Sequence, residues 1–354
     1  MKDDNLTRAE AEARAARLSV LSYDVALDLA GDGDTFASTT TVRFQCTEPG
    51  SDTFVDLDAA AVRDMTLNGR PVPLDAFDAE HSRIHLPGLA ADNTLTVVAD
   101  CSYQHTGVGL HRFDDPTDGN RYLHTQFEPY DAHRVFACFD QPDLKATFDL
   151  AVEAPEAWTV VSNANVAEHE ATTNGPSHWR FETTHRISTY LAALVAGPYH
   201  AVHEEHRVGT SIYCRESLAQ YLDADEILTV TRQGLDFFEA EFGYPYPFPK
   251  YDQLFVPEFN FGAMENPGCV TFNEGYVFRS RVTDAAYERR AGTILHEMAH
   301  MWFGDLVTMR WWDDLWLKES FATWASNFAV SELAEDQTAV WARFLHGFKT
   351  NAYR

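Results

Sequence analysis

The pattern His-Glu-Met-Ala-His at residues 296–300 constrains the fold of this chain more than any other feature of its sequence. In an α-helix, residues four positions apart lie on one face, so His296 and His300 can reach a single ion. The flanking residues 291–295 and 301–303 are mostly apolar, which predicts a buried helix. Buried imidazoles need polar partners, and a metal ion supplies one.

The residue types of this motif favour zinc. Zinc binds imidazole nitrogen, and a catalytic zinc site combines three protein ligands with a water molecule. Glu297, directly after His296, is then placed to act as a general base. Glu319 opens the next predicted helix, with 18 residues between it and His300. Taken alone, Glu319 is more typical of a solvated acid at a helix start. The alternative for the two histidines is that they lie on a solvated helix face and bind no metal.

The first part of the chain has the pattern of short strands. Five segments are strand-like, and turn clusters separate them: residues 20–29, 39–45, 145–153, 158–166 and 177–184. The alternation of apolar and polar residues is clearest from residue 23 onward. Residues 187–196 are predicted to form one buried strand that ends at Gly197-Pro198. We therefore expect an antiparallel, β-sandwich-like domain over residues 1–198.

The second part, residues 199–354, mixes the two kinds of structure. Helical spacing predicts helices over 217–242, 284–303 and 318–333, and an aromatic and proline-rich segment at 244–277 is strand-like in parts. The predicted fold class is α+β. Residues 336–354 have the pattern of another helix without a capping glycine, so we expect the chain to stop inside its second domain.

Composition excludes several classes of partner. Aspartate and glutamate number 54 against 27 lysines and arginines, a net charge of −27, which disfavours nucleic acid and anionic membrane surfaces. Residues 1–20 are charged throughout and do not form a secretory signal. Five widely spaced cysteines without a C-x-x-C pair predict buried reduced thiols. We expect a soluble cytoplasmic protein, and the sequence leaves its oligomeric state open.

Several motifs together resemble the gluzincin aminopeptidases of the aminopeptidase N type. The H-E-x-x-H motif stands before M-W-F-G-D-L-V-T, Glu319 lies in W-L-K-E-S, and residues 262–266 read G-A-M-E-N, the exopeptidase signature of that family. Blocks at 126–148 and 188–191 also match, so the resemblance covers about residues 23–354. It implies a β-rich domain followed by a thermolysin-like catalytic domain. One zinc per chain would be held by His296, His300 and Glu319, with Glu297 as the catalytic base.

The resemblance also implies how a substrate is bound. Glu265 would be the main anchor for the free α-ammonium of a peptide, and Glu128, from the first domain, the second anchor. Gly262 and Ala263 would present a strand edge to the substrate backbone. The complete predicted set is Gln126, Glu128, Gly262, Ala263, Met264, Glu265 and Asn266.

Two departures from the family pattern are Asp305, where asparagine is common, and Ser320, where glycine is frequent. Neither position is a ligand, so we expect little functional cost. The transition-state tyrosine of the family is expected beyond Arg354, because Tyr353 is too close to Glu319. The helical C-terminal domain of the family is expected to be absent as well, which makes the chain an N-terminal fragment. Five aromatic residues are assigned to the core: Tyr276, Trp302, Trp311, Trp312 and Trp316. Among them, Tyr276 is the one candidate for a position near the substrate.

The predicted function is hydrolysis of N-terminal residues from peptides that carry a free amine. An endopeptidase of the thermolysin kind shares the metal motif but does not explain G-A-M-E-N. The epoxide-hydrolysing branch of the family typically has a second glycine where this chain has Ala263. A third alternative is an inactive fragment that only binds peptides or partners.

Overall fold

The computed structural model describes residues 5–172, 175–333 and 337–350. The chain forms two compact units, one of Met1–Tyr199 with Arg310–Trp312, the other of His200–Met309 with Asp313–Arg354. No helix in the described ranges is both long and apolar enough to cross a membrane. All five cysteines are buried and none of them forms a disulfide, which confirms the prediction of reduced interior thiols.

Unit 1 consists of one helix and fifteen strands in the described residues. They are α1 (Arg8–Ala15), β1 (Leu18–Asp28), β2 (Thr35–Cys46), β3 (Thr53–Asp56), β4 (Ala61–Leu67), β5 (Arg70–Pro71), β6 (Phe77–Asp78), β7 (Arg83–Leu86), β8 (Asp92–Ser102), β9 (Gly109–Asp114), β10 (Arg121–Gln126), β11 (Thr147–Ala154), β12 (Thr159–Ser162), β13 (Val166–Glu170), β14 (Ser177–Phe181) and β15 (Leu194–Gly197).

The strands of unit 1 form three sheets. The order is β13-β14-β11-β1-β2-β8-β4-β5 in the largest, β12-β15-β10-β9 in the second and β3-β7-β6 in the third. Strand β2 alternates buried and exposed residues, as expected where one face of a sheet packs on a core. An apolar cavity is lined by Leu27 and Phe148 of the first sheet and Leu194 of the second, so these two sheets face each other. The predicted sandwich-like, mostly-sheet domain is thereby confirmed.

Two details of unit 1 differ from the sequence prediction. Strand β1 pairs in parallel with β11, so the large sheet is mixed rather than wholly antiparallel. Residues 187–196 do not form one strand, because a 3₁₀ turn at Thr189–Leu191 precedes β15. The side chain of Asn163 donates to the carbonyl of Leu191 and accepts from the amide of Ala193, both at 2.8 Å. These bonds occupy backbone groups that a longer strand would need.

Unit 2 combines a mixed sheet with helices. The strands are β16 (Tyr199–Glu204), β17 (Thr210–Arg215), β18 (Asp252–Val256), β19 (Ala263–Met264) and β20 (Cys269–Asn273), in the order β16-β17-β18-β20-β19. The helices are α2 (Ala224–Phe242), α3 (Asp284–His300), α4 (Trp316–Leu333) and α5 (Gln337–Phe344), and a π-helical segment follows at Leu345–Lys349. The mixed content of this unit confirms the predicted α+β class.

The ends of these helices have identifiable causes. Helix α2 ends at Gly243, whose φ of 60° is a left-handed conformation that glycine adopts at little cost. The predicted helix over 217–242 begins later than expected, because Glu216–Tyr221 forms a 3₁₀ turn before α2. Of the helix predicted over 336–354, residue 336 and residues 351–354, including Tyr353, lie outside the described residues. Trp302 is buried as predicted, but Trp316 is 60% exposed, so its assignment to the core is wrong.

Candidate metal and substrate site

Helix α3 brings the first motif residues together. Its apolar residues Ile294, Leu295 and Met298 are at most 1% exposed and fix the helix against the core of unit 2. His300 is equally buried, whereas the side chain of His296 remains 22% exposed. The pair is therefore closed on the His300 side and accessible on the His296 side.

Glu319, in the first turn of α4, completes a cluster of three donors. The two Nε2 atoms of His296 and His300 lie 3.1 Å apart. The Glu319 carboxylate is 3.5 Å from Nε2 of His296 and 3.7 Å from Nε2 of His300. Ligands of a tetrahedral zinc ion, at bonds of about 2.0–2.1 Å, lie about 3.3 Å apart. The donor types and their spacing therefore fit zinc.

The protonation of His300 is fixed by a local contact. Its Nδ1 lies 3.1 Å from the carbonyl oxygen of Phe303, just beyond the end of α3. A carbonyl only accepts, so Nδ1 carries the hydrogen and Nε2 of the neutral ring keeps its lone pair for a metal. Burial lowers the pKa of His300 to about 4, against the opposing charge of Glu265. A neutral imidazole oriented by a carbonyl is the usual form of a metal-ligating histidine.

Glu319 is held as a carboxylate. Burial by itself would raise its pKa, but the hydrogen bond with His296 and the charge of Lys318 keep the pKa of Glu319 far below its usual value. The ionised form is the one that binds a cation.

Glu297 and Glu265 lie beside the histidines. Glu297 is 4% exposed and Glu265 is 2% exposed. Donor atoms of Glu265, Glu297 and His300 all lie within 4.8 Å of one another. Two buried carboxylates and an imidazole nitrogen thus face one small volume next to the three-donor cluster.

Lys318 is a charged member of this site that the sequence analysis missed. Its side chain is 3% exposed, and its ammonium forms an ion pair with Glu265 and lies 2.9 Å from the carboxylate of Glu319. Burial tends to raise the pKa of Glu265, but the Lys318 charge outweighs it and holds this pKa below its usual value. The only sequence signal was the position of Lys318 beside Glu319, since its other partner is far away in the chain.

The G-A-M-E-N segment forms the edge of the sheet in unit 2. Strand β19 pairs with β20 on one side and ends the strand order, so its other side is not covered by a strand of this sheet. The carbonyl of Gly262 accepts from the amide of Asn273 at 2.9 Å. The Asn266 side chain donates to the hydroxyl of Thr271 at 3.4 Å, which ties down the turn after Glu265. Met264 is 2% exposed and packs inward.

The other two predicted substrate residues belong to unit 1. Gln126 is the last residue of β10 and is 2% exposed, and half-buried Glu128 follows two positions later. Their assignment to the substrate site stays a prediction.

Comparison with known proteins adds family relationships. The model of the peptidase family M1 domain matches residues 226–353, and the model of the peptidase M1 N-terminal domain matches residues 19–191. Aminopeptidase N of Streptomyces lividans is 56% identical over the whole chain, which covers 42% of that protein. Aminopeptidase 2 of Candida albicans is 31% identical over 96% of the chain and 38% of its own length. Aminopeptidase M1 of Arabidopsis thaliana is 39% identical over 62% of the chain and 25% of its own length. The chain thus spans well under half the length of these relatives.

Proposed function

Because this chain belongs to peptidase family M1, we propose that it carries the metal centre of a zinc-dependent aminopeptidase. One zinc per chain would be held by His296, His300 and Glu319. When bound there, zinc would polarise the scissile carbonyl and lower the pKa of a water molecule towards 7. Support comes from the donor spacing of 3.1 to 3.7 Å and from the neutral state of His300.

Glu297 performs the proton transfers in this proposal. Its carboxylate takes a proton from the attacking water as the water oxygen bonds to the carbonyl carbon. The same proton passes to the leaving nitrogen when the C–N bond breaks. The 4% exposure of Glu297 keeps bulk water from competing for that proton.

Glu265 supplies the preference for a free amine. Its carboxylate is buried and kept ionised by Lys318, so it can accept charge-assisted hydrogen bonds from a substrate α-ammonium. The interior of a peptide has no ammonium to offer this group. Glu128 is proposed as a second anchor and Gln126 as part of the same pocket.

The uncovered side of β19 is the proposed binding edge for the peptide backbone. A short edge strand offers amide and carbonyl groups to an added strand, and small residues at Gly262 and Ala263 allow close approach. Met264 and Asn266 hold that edge in place from inside the sheet.

One observation carries the proposal: the three proposed metal donors converge directly beside the buried carboxylate of Glu265. An endopeptidase needs the three donors but has no use for an anionic group that is buried next to them. An inactive binding module would have no need of Glu297 at that position.

We further propose a reducing, cytoplasmic location. Five buried thiols without a disulfide are typical of proteins kept in a reducing compartment.

The test compares matched peptides with a free and an acetylated N-terminus. The zinc-loaded, full-length protein is expected to release the first residue only from the free peptide. Glu265→Gln removes the anionic anchor, worth about 1.5–3 kcal/mol, and should lower kcat/KM by about one to two orders of magnitude. Zinc content should remain one per chain.

Glu332→Gln is the control, because it removes the same charge at an exposed position of α4. It should retain wild-type kcat/KM. Equal cleavage of acetylated and free peptides would contradict the aminopeptidase proposal, as would full activity in Glu265→Gln.

A further inference from the structure

The turn that carries Glu128 is attached to a buried network of charged side chains in unit 1. The turn spans residues 127–131, and the amide of Asp131 closes it by donating to the carbonyl of Phe127 at 2.9 Å. Glu128 itself is half-buried. Tyr130, two positions further on, reaches from the turn into the network. The turn is therefore connected to the interior of the unit close to Glu128.

Asp56, the last residue of β3, is the centre of this network. It is fully buried, and its Oδ2 accepts from Nη1 of Arg14 at 2.8 Å and from the amide of Asp140 at 3.0 Å. Its own amide donates to the carbonyl of Cys138 at 2.9 Å. Arg14, from α1, is 1% exposed and also donates to the side chain of Gln141 at 2.6 Å. Groups from two other segments of the chain thus fix the position of the Asp56 carboxylate.

Tyr130 bonds to the other oxygen of that carboxylate. Its hydroxyl donates to Oδ1 of Asp56 at 2.8 Å. Burial and the charge of Asp56 raise the pKa of Tyr130 well above its usual value, so the hydroxyl keeps its proton and remains a donor. The ring of Tyr130 packs against that of His133, with the centroids 4.4 Å apart. The side chain is therefore held at both its ring and its hydroxyl.

We propose that Tyr130 is a positioning residue for Glu128, because it fixes the turn 127–131 to the buried carboxylate of Asp56. This inference rests on the proposed function, in which Glu128 is the second anchor for the α-ammonium of the substrate. Tyr130 itself does not touch the substrate. It holds the Glu128 carboxylate in place before the ammonium binds, so that less conformational freedom is lost on binding.

The experiment measures recognition of the ammonium separately from the rest of the site. It compares two inhibitors of the zinc-loaded, full-length protein: alanine hydroxamate, which carries the α-ammonium, and propionohydroxamate, which lacks it. Both inhibition constants are measured with alanine p-nitroanilide as the substrate. The inhibition constant of propionohydroxamate divided by that of alanine hydroxamate is called the amine ratio. This ratio reports the contribution of the ammonium alone.

Tyr130→Phe removes the hydroxyl but leaves Asp56 paired with Arg14, so the variant should fold. Its amine ratio should fall by about two- to fivefold, less than the loss of a whole charge-assisted hydrogen bond. Glu128→Gln should lower the ratio further. Adding Tyr130→Phe to Glu128→Gln should then have no effect, because no anchor is left to position, whereas adding it to Glu265→Gln should still lower the ratio.

Tyr122→Phe is the matched control. Tyr122, in β10 of the same unit, also donates its hydroxyl to an aspartate, Asp118, at 2.8 Å. The control removes the same group from a comparable bond elsewhere in unit 1, so it should keep the wild-type amine ratio.

The inference is overturned if Tyr130→Phe keeps the wild-type amine ratio, if it lowers the ratio equally in the Glu128→Gln background, or if Tyr122→Phe lowers it as much. A parallel rise of both inhibition constants in Tyr130→Phe belongs to the first case, because a merely structural role affects both inhibitors alike. These outcomes leave the proposed function intact as long as the wild type prefers alanine hydroxamate and Glu128→Gln weakens that preference. A wild type without the preference, or a Glu128→Gln variant that keeps it in full, would contradict the proposed amine anchor itself, and this inference with it.

Discussion

At the residue scale, the metal cluster depends on how a helix ends. Helical spacing alone predicts that His296 and His300 share one face, and the structure places their Nε2 atoms 3.1 Å apart. The tautomer of His300 depends on the carbonyl of Phe303, which lies past the last residue of α3 and has no partner within that helix. The H-E-x-x-H motif predicts that the two histidines share a helix face, but it does not predict the tautomer of His300. The tautomer depends on the position of the Phe303 carbonyl, which is set by the path of the chain after the helix.

Lys318 is a second residue of the site whose contacts could not be predicted from the sequence. Its pairing with Glu265 joins the start of α4 to the end of β19. Residue spacing carries no information on contacts between elements so far apart in the chain. The sequence therefore identified both carboxylates of the site but not the cation that keeps them ionised.

Two substitutions in the H-E-x-x-H motif separate metal binding from proton transfer. Glu297→Gln should retain one zinc per chain and lose hydrolysis by at least about 10²- to 10⁴-fold, because the amide cannot accept a proton. His300→Ala should lose zinc, because two donors remain where three are needed. Metal analysis and peptide assays on both variants check this. Stoichiometric zinc in His300→Ala, or near-normal turnover in Glu297→Gln, would refute the respective role.

At the scale of elements, α3 is positioned by a close contact with α2. Gly234 of α2 is buried, and a Cβ atom added there would lie 2.5 Å from Leu295 and 2.8 Å from Met298. These two residues flank His296 and Glu297 in the sequence, and both are fully enclosed. The absence of a side chain at Gly234 thus allows the helix that carries the site to pack at its observed depth.

Gly234→Ala tests this contact against helix propensity. Alanine normally stabilises a helix by up to about 1 kcal/mol relative to glycine. Here we expect a net loss of about 1–2 kcal/mol in the free energy of unfolding, because Leu295 and Met298 must move in a filled core. Gly292→Ala in α3 is the matched control, since its Cβ meets nothing within 4 Å and it should stabilise. Urea unfolding of both variants measures whether each substitution raises or lowers the free energy of unfolding. A Gly234→Ala variant that is more stable than the wild type would disprove the argument.

Hydrophobic periodicity predicted helices and strands well where one face of the element packs on a core. It predicted them less well where a side chain from a distant segment hydrogen-bonds to the backbone. Helix α4 starts at Trp316, two residues before the predicted start, and β2 follows its alternation throughout. The prediction of a strand at 187–196 failed because Asn163, from another segment, binds its backbone. The parallel pairing of β1 with β11 was missed because alternation gives the faces of a strand but not its neighbour.

At the scale of the whole molecule, the dominant property is charge. A net charge of −27 makes acidic groups repel one another across the surface. Many arginines are already used in ion pairs, such as buried Arg14 with Asp56 and Arg290 with Glu226. The excess of acids therefore remains largely uncompensated.

Screening of this repulsion should stabilise the protein. Raising sodium chloride from about 0.01 to 0.3 M shortens the Debye length from about 30 Å to below 10 Å, so Tm should rise by a few degrees. Thermal scans at pH 7 check this. The rise should shrink near pH 5, where histidines gain charge and some carboxylates are neutralised. A Tm that stays constant or falls with salt at pH 7 would show that the repulsion is unimportant.

The buried thiols can serve as native reporters of local and global unfolding. Cys46, Cys101 and Cys138 lie in unit 1, whereas Cys214 and Cys269 lie in unit 2, and each is enclosed in the native state. Burial raises the pKa of Cys101 above its usual value, and it raises that of Cys214 to about 12, so neither forms a reactive thiolate while folded. An alkylating reagent can then modify each thiol only during local or global unfolding. The order in which the two groups are modified would reveal which unit loosens first, without any introduced label.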